Sequence, residues 1–275
     1  MSPTYPITRG LLRRPFWLLT IVGTLIGFDA SQASELRETG RSLAPRYEKA
    51  IVTVRVVSSQ TLSMSGKGSR QRDDQSETNG TVVSPEGVTV VALSGLDPSS
   101  VYESMMANGG TDVGIQFESQ IKDLTLIVDK TEQIPARVVL RDKDLDLAVI
   151  QPVEKPKEPM TYVDFAQSAV PELLDPCLVL ARMSSVANYE PAVMTGEIQA
   201  LVKKPTTYYV PSSEISTGGS GIPVFNAEGQ VLGIVSARLV SGGLEAVRDA
   251  DSPGMVVIQP ASDVLELVEQ AKGME

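Results

Sequence analysis

Short apolar runs rich in valine and isoleucine follow one another through most of the chain after residue 50, and they limit what it can fold into. Turn-forming residues bound each run, which is typical of β-strands. The predicted strands lie at 51–57, 81–84, 88–92, 124–128, 136–140, 147–150, 177–182, 196–202, 222–226, 231–236 and 255–259. The polar, Ser- and Arg-containing stretch 64–80 is predicted to be a mobile surface loop. About a dozen strands with few helices indicate an all-β protein, either paired barrels or a large sandwich.

Helical periodicity appears mainly at the two ends of this β-rich region. Residues 36–50 predict a short helix, and the apolar spacing within 264–271 predicts a second one near the C-terminus. The sequence Glu-Lys-Pro-Lys-Glu-Pro at 154–159 predicts a boundary, because charged and proline-rich stretches commonly separate compact units. The chain is therefore expected to contain two β-rich halves of similar size, 34–153 and 160–275.

The N-terminus has the pattern of an export signal. Three arginines among the first 14 residues precede an apolar run at 16–28, which is shorter than the roughly 20 residues that span a bilayer. Small residues before position 34 favour cleavage after Ala33, so residues 1–33 are predicted to be a signal peptide and the protein to be periplasmic or secreted. The alternative is an uncleaved anchor, in which case the protein would be held at a membrane.

Composition excludes several kinds of chemistry. The chain has no histidine and one cysteine, so no intrachain disulfide can form, and neither a zinc site nor another metal or cofactor is expected. The usual general base of hydrolases is also missing. Without residues 1–33, 21 basic and 33 acidic residues remain, a net charge of −12. Because such a chain is repelled by phosphate backbones, nucleic acid is not an expected partner.

Four strings carry a resemblance to a known family. In chain order they are Gly80–Ser94, Arg141–Ile150, Gly218–Val235 and Gly254–Pro260. The third, which begins Gly-Gly-Ser-Gly-Ile-Pro and continues into a hairpin, resembles the nucleophile loop of trypsin-like serine proteases, particularly the bacterial HtrA/Deg group. The resemblance covers roughly residues 45 to 272. It implies two packed six-stranded β-barrels with a C-terminal helix, and a chain that ends without the PDZ module found in many of these proteases.

The same resemblance assigns roles to three residues. Ser220 matches the nucleophile and Asp146 matches the aspartate of the catalytic triad, while Ser94 stands where the family has its histidine. A serine hydroxyl needs a neighbouring base to take its proton, and another hydroxyl cannot serve as that base. Asp146 also has a purely structural interpretation, as a carboxylate that forms hydrogen bonds at the start of a strand.

The loop that would bind the substrate oxygen is altered as well. On the resemblance, the backbone N–H groups of Gly218 and Ser220 would form an oxyanion hole. Gly219 occupies the position of the family's asparagine, and Ile222 replaces the second glycine after the serine. A β-branched residue at a position where glycine can adopt positive φ is expected to force another backbone shape.

These observations support three functional hypotheses. The first is an inactive protease homologue whose cleft binds proteins or extended peptides by main-chain pairing. The second is a slow serine endopeptidase or hydrolase that uses Ser220 with a base other than histidine. The third is a purely structural component of the cell envelope. The first best fits a sequence that has the serine and the aspartate and lacks histidine altogether.

Overall fold

The computed structural model describes residues 22–64, 68–99, 115–239 and 254–274, and within these ranges the strands form two closed six-stranded barrels. The strands of the first barrel are β1 (Ile51–Met64), β2 (Gly68–Val82), β3 (Thr89–Ala92), β4 (Ile115–Ile127), β5 (Gln133–Asp142) and β6 (Leu147–Pro152). They are antiparallel and follow the order β1-β2-β3-β6-β5-β4. The barrel closes because β1 pairs with β4 on one side and with β2 on the other.

The second barrel has the order β10-β11-β12-β9-β8-β7. Its strands are β7 (Pro176–Arg182), β8 (Pro191–Val202), β9 (Tyr208–Pro211), β10 (Pro223–Asn226), β11 (Val231–Leu239) and β12 (Gly254–Pro260). A tight turn joins β10 to β11, in which the Asn226 side chain accepts a hydrogen bond from the Gln230 N–H and Gly229 has a φ of +79°. The predicted architecture of two packed six-stranded barrels is thus confirmed, and the sandwich alternative is wrong.

Four α-helices have their C-terminal ends within the described ranges. They are α1 (Val22–Tyr47), α2 (Leu93–Leu96), α3 (Ser213–Ser216) and α4 (Ala261–Lys272). The predicted helix at 36–50 is the C-terminal part of α1, and the predicted C-terminal helix is α4. Much of the predicted signal peptide lies outside the described residues, and cleavage after Ala33 stays a prediction. None of the helices described here combines the length and apolarity needed to cross a membrane.

The predicted loop at 64–80 is wrong, because most of it is strand β2. This strand pairs residue by residue with β1, from Ile51 opposite Thr81 to Met64 opposite Gly68. All side chains from Gly68 to Asp73 are exposed, so they lack the alternation of apolar and polar residues by which a half-buried strand is recognised. Backbone hydrogen bonds with β1 hold this part of β2 in place. The short strand β9 was also missed by the sequence analysis.

Apolar side chains form a core inside each barrel and a third layer between the barrels. In the third layer the ring of Phe225 stacks on that of Tyr47 with a centroid separation of 5.6 Å. Full burial of a large apolar side chain such as Phe225 stabilises a fold by ~1.5–3 kcal/mol. Helices α1 and α4 both contribute to this layer, and the predicted boundary at 154–159 falls in the segment that joins β6 to β7.

Candidate active site

Ser94 and Asp146 are in direct contact at one end of the first barrel. Ser94 lies in the short helix α2 directly after β3, and Asp146 directly precedes β6, the strand that pairs with β3. The Ser94 backbone N–H donates to Asp146 Oδ1 at 2.8 Å, and the Ser94 hydroxyl donates to Oδ2 at 2.8 Å. The backbone carbonyl of Asp146 also accepts the Leu93 N–H at 2.9 Å. Asp146 has a φ of +52°, which aspartate tolerates better than most residues.

The Asp146 carboxylate also reaches the second barrel. The backbone N–H of Ala237 in β11 donates to Asp146 Oδ2 at 3.0 Å, so both barrels contribute donors to one carboxylate. Burial raises the pKa of Asp146 above its ordinary value, while the hydrogen bonds from Ala237 and Ser94 act in the opposite direction. The structural interpretation of Asp146 is supported by these hydrogen bonds, because its carboxylate links the two barrels, while its assignment to the catalytic triad stays a prediction from the family resemblance.

Ser220 lies in a loop of the second barrel that packs against the first. The adjacent Gly221 has a φ of +81°, donates its N–H to the carbonyl of Val235 at 2.7 Å, and accepts the Thr81 hydroxyl at 2.8 Å. A Cβ at Gly221 would collide with the carbonyl oxygen of Asn79 and lie 3.3 Å from the backbone nitrogen of Ala92. Since Ala92 is two residues before Ser94, these contacts bring the Ser220 loop to the same end of the first barrel as Ser94 and Asp146.

The loop preceding Ser220 uses one of the expected oxyanion donors internally. The Gly218 N–H donates to the carbonyl of Ile215 at 3.1 Å, which continues the turn of α3. In this conformation it does not point towards a substrate oxygen. Gly219 is exposed with a φ of +89°, whereas Ile222 does not adopt positive φ and is fully buried in the core of the second barrel. The positive φ values around Ser220 thus belong to Gly219 and Gly221, on either side of the serine, and not to Ile222.

A buried arginine that the sequence analysis did not single out holds the neighbouring part of the interface. The Arg182 backbone N–H donates to Asn79 Oδ1 at 3.0 Å. Its guanidinium donates to backbone carbonyls of Glu48, Ile51 and Tyr189. Burial lowers the pKa of Arg182, and nearby carboxylates act against this shift. A single arginine at the end of the otherwise apolar run 177–182 was the available signal for a buried, hydrogen-bonded charge.

The chemistry available to this site depends on which of its groups can accept a proton. The Ser94 hydroxyl donates its proton to Asp146, and its remaining lone pairs belong to an alcohol oxygen, which is a very weak base. Within the described parts of the chain, no three cysteine or carboxylate side chains lie together as potential metal ligands. Among the described residues, the site therefore consists of two serines, a buried carboxylate and a glycine-rich loop, without a proton acceptor matched to neutral pH.

Comparisons with known proteins found a matching family model and a similar solved structure. A family model described as a trypsin-like peptidase domain matches residues 78–234, which is more than half of the chain. Among solved structures, the chain is similar to the apo form of the MamO protease domain from Magnetospirillum magneticum, with 17% sequence identity and a TM-score of 0.48 over 69% of this chain and 86% of that one. No curated protein matches the sequence. With both barrels and the family match in place, the chain belongs to the family of trypsin-like peptidase domains.

Proposed function

We propose that this protein is a catalytically inactive trypsin-like peptidase homologue, related to the HtrA/Deg group, that binds extended segments of other proteins. The observation that carries the proposal is the 2.8 Å hydrogen bond from the Ser94 hydroxyl to Asp146, since the family resemblance assigns the position of Ser94 to the imidazole of a working site. Export, with residues 1–33 removed, is part of the same proposal. It would place the binding cleft in the periplasm or outside the cell.

The missing base accounts for the proposed inactivity. Removal of the histidine from a catalytic triad costs on the order of 10⁶-fold in turnover, because serine is a poor nucleophile while it holds its proton. Asp146 supports a base by orienting it and stabilising its positive charge, and Ser94 offers nothing to orient. The internal hydrogen bond of the Gly218 N–H adds a second obstacle, because a lost oxyanion donor costs roughly 10²–10³-fold in turnover.

The edge of β11 supports a role in binding. This strand pairs with β10 only as far as Ile234, and Val235 then exchanges hydrogen bonds with Gly221 and Ile222. Further along, the Ala237 N–H is taken by Asp146. The alternation of hydrogen-bonding directions along a strand turns the Ala237 carbonyl towards the same side, where no described strand pairs with β11. An extended peptide can add to such an edge through its main chain.

Turnover is tested with an unfolded, fluorescently labelled casein. We expect no cleavage above background by the wild-type protein and no labelling of Ser220 by a fluorophosphonate probe. Cleavage that disappears in Ser220→Ala, or stoichiometric labelling of Ser220, would refute the proposed inactivity and favour the alternative of a slow serine hydrolase with an unconventional base.

Binding is tested with the same casein by fluorescence anisotropy. We expect Ser220→Trp to abolish binding because its indole would fill the cleft, while Ser220→Ala binds like the wild type. Ser213→Trp is the matched control, since Ser213 is an exposed residue of α3, seven positions before Ser220. Binding that survives Ser220→Trp, or that falls equally in Ser213→Trp, would place the bound segment elsewhere, and absence of binding by the wild type would favour a structural role.

The two altered parts of the site can be separated by restoring one of them. We expect Ser94→His to remain inactive on casein, because the Gly218 N–H is still bonded to Ile215. Robust turnover by this single variant would show that the loop opens readily and that the missing base is the only defect.

A further inference from the structure

A groove away from Ser94, Asp146 and Ser220 has the opposite charge to the protein as a whole. It has a volume of about 650 Å³, within the range of known ligand pockets. The residues that line it are Glu86, Val88, Arg137, Gln151, Pro152, Val153, Lys155 and Lys272. Three of them are cationic and one is a carboxylate, in a chain whose net charge is −10.

The three cations come from three different elements. Arg137 is on β5, opposite Gln151 of β6, whereas Lys155 follows β6 and Lys272 ends α4. All three side chains are exposed. Lys272 forms an ion pair with Glu269 at 2.6 Å, but more than half of each side chain is exposed, and such pairs exchange partners at little cost. Both lysines share this groove with the Glu86 carboxylate.

Apolar and rigid parts of the chain lie between these charges. Val153 is 59% exposed, and its backbone N–H is fixed by the carbonyl of Pro135 at 2.9 Å. The turn that carries Glu86 packs against Pro152, since a Cβ at Gly87 would lie 2.8 Å from Pro152 Cγ. A ligand that combines carboxylates with an apolar group would find both kinds of contact in one place, without a need to reorganise the backbone.

We propose that this groove is a second binding site, which takes an acidic segment of another protein with an apolar side chain beside its carboxylates. Charge complementarity selects an anion, and the distribution of Arg137, Lys155 and Lys272 over three elements favours several carboxylates on one flexible chain over a single small anion. The exposed Val153 and the adjacent Pro152 favour an apolar residue between those carboxylates. The site is independent of the cleft proposed above, because none of the cleft residues lines it.

The proposal is tested with a labelled octapeptide of alternating glutamate and leucine, and with the matching lysine–leucine peptide, by fluorescence anisotropy at low and high salt. We expect the acidic peptide to bind and the basic one not to bind, with affinity falling as salt rises. The double variant Lys155→Glu, Lys272→Glu is expected to bind about tenfold more weakly, since each exposed ion pair contributes a few-fold.

A control with the same change in net charge is Lys130→Glu, Lys203→Glu, in which both altered lysines are exposed and outside the groove. We expect this control to bind like the wild type to within about twofold. Equal loss in both double variants would attribute the effect to overall charge and overturn the proposal. It would also be overturned if the Lys155, Lys272 variant kept its affinity, or if the wild type did not prefer the acidic peptide.

Discussion

The pH dependence of stability tests whether the Asp146 carboxylate is held as an anion or resists ionisation. Burial is the largest influence on this group and raises its pKa above 3.8, although three hydrogen bonds oppose the shift. Replacing Asp146 by asparagine removes the titration and keeps a residue type that tolerates a φ of +52°. Ala237 and Ser94 then compete for a single carbonyl oxygen.

The direction of the expected pH dependence follows from proton linkage. A carboxyl whose pKa is higher in the folded state binds its proton more tightly there, so its contribution to stability is complete below pH 3.8 and is lost as pH rises through the folded-state pKa. Each unit of pKa difference is worth about 1.4 kcal/mol. The lost hydrogen bond in Asp146→Asn costs a further ~1–3 kcal/mol, which does not depend on pH in this range. The wild type is therefore expected to exceed Asp146→Asn in stability by more at pH 4.5 than at pH 7.5.

Urea unfolding at a series of pH values measures this difference, with thermal unfolding as a second readout at ~2–4 °C per kcal/mol. Asp144→Asn is the control, because it removes an exposed carboxylate two residues away and leaves the three hydrogen bonds to Asp146 in place. If the stability advantage of the wild type over Asp146→Asn grew as pH rises, the hydrogen bonds to the Asp146 carboxylate would affect its pKa more than its burial does. The reasoning about this carboxylate would then be wrong.

Two further predictions concern the second barrel. Gly221→Ala is expected to lower the free energy of unfolding by more than Gly229→Ala, because both glycines have positive φ but only a Cβ at Gly221 collides with the backbone, at Asn79. The positive φ alone costs about 1–2 kcal/mol in either variant. Equal losses of stability in urea unfolding would show that the collision at Gly221 is relieved without cost. Burial raises the pKa of the Cys177 thiol to about 12, so a thiol reagent at pH 8 should label Cys177 only in denaturant. Labelling of the native protein at the rate of a free thiol would contradict the burial of this side chain.

The sequence predicted the barrels because most of their strands are buried on at least one face. In β7, for example, every residue from Cys177 to Arg182 is buried, and this produces the continuous apolar run that identified it. Strand β2 escaped because its outer part is held by backbone pairing with β1 and by polar side-chain contacts, such as those of Gln71 with Ser59 and of Lys122 with Asp73, and neither leaves a trace in hydrophobicity. The helix at 36–50 was recognised with wrong bounds, since α1 begins at least as early as Val22.

The candidate site was predicted only in part. Strings that resemble the family led to Ser94 and Asp146, and the two are hydrogen-bonded. The bond from the Gly218 N–H to Ile215 was beyond prediction, because glycine-rich loops have several backbone conformations of similar energy. The link from Asp146 to Ala237 depends on how the two barrels pack, which local sequence patterns do not describe.

The outer part of β2, whose polar composition prevented its prediction as a strand, lies at an edge of the sheet, where that composition is an advantage. This strand pairs with β3 only at residues 80–82, so along its preceding length no described strand pairs with its second edge. Unpaired edges invite other strands to add to them, and charged side chains discourage this because an incoming strand would have to strip water from them. Arg70, Arg72, Asp73 and Asp74 supply such charges. A long strand can thereby remain at the border of a soluble sheet without nucleating aggregates.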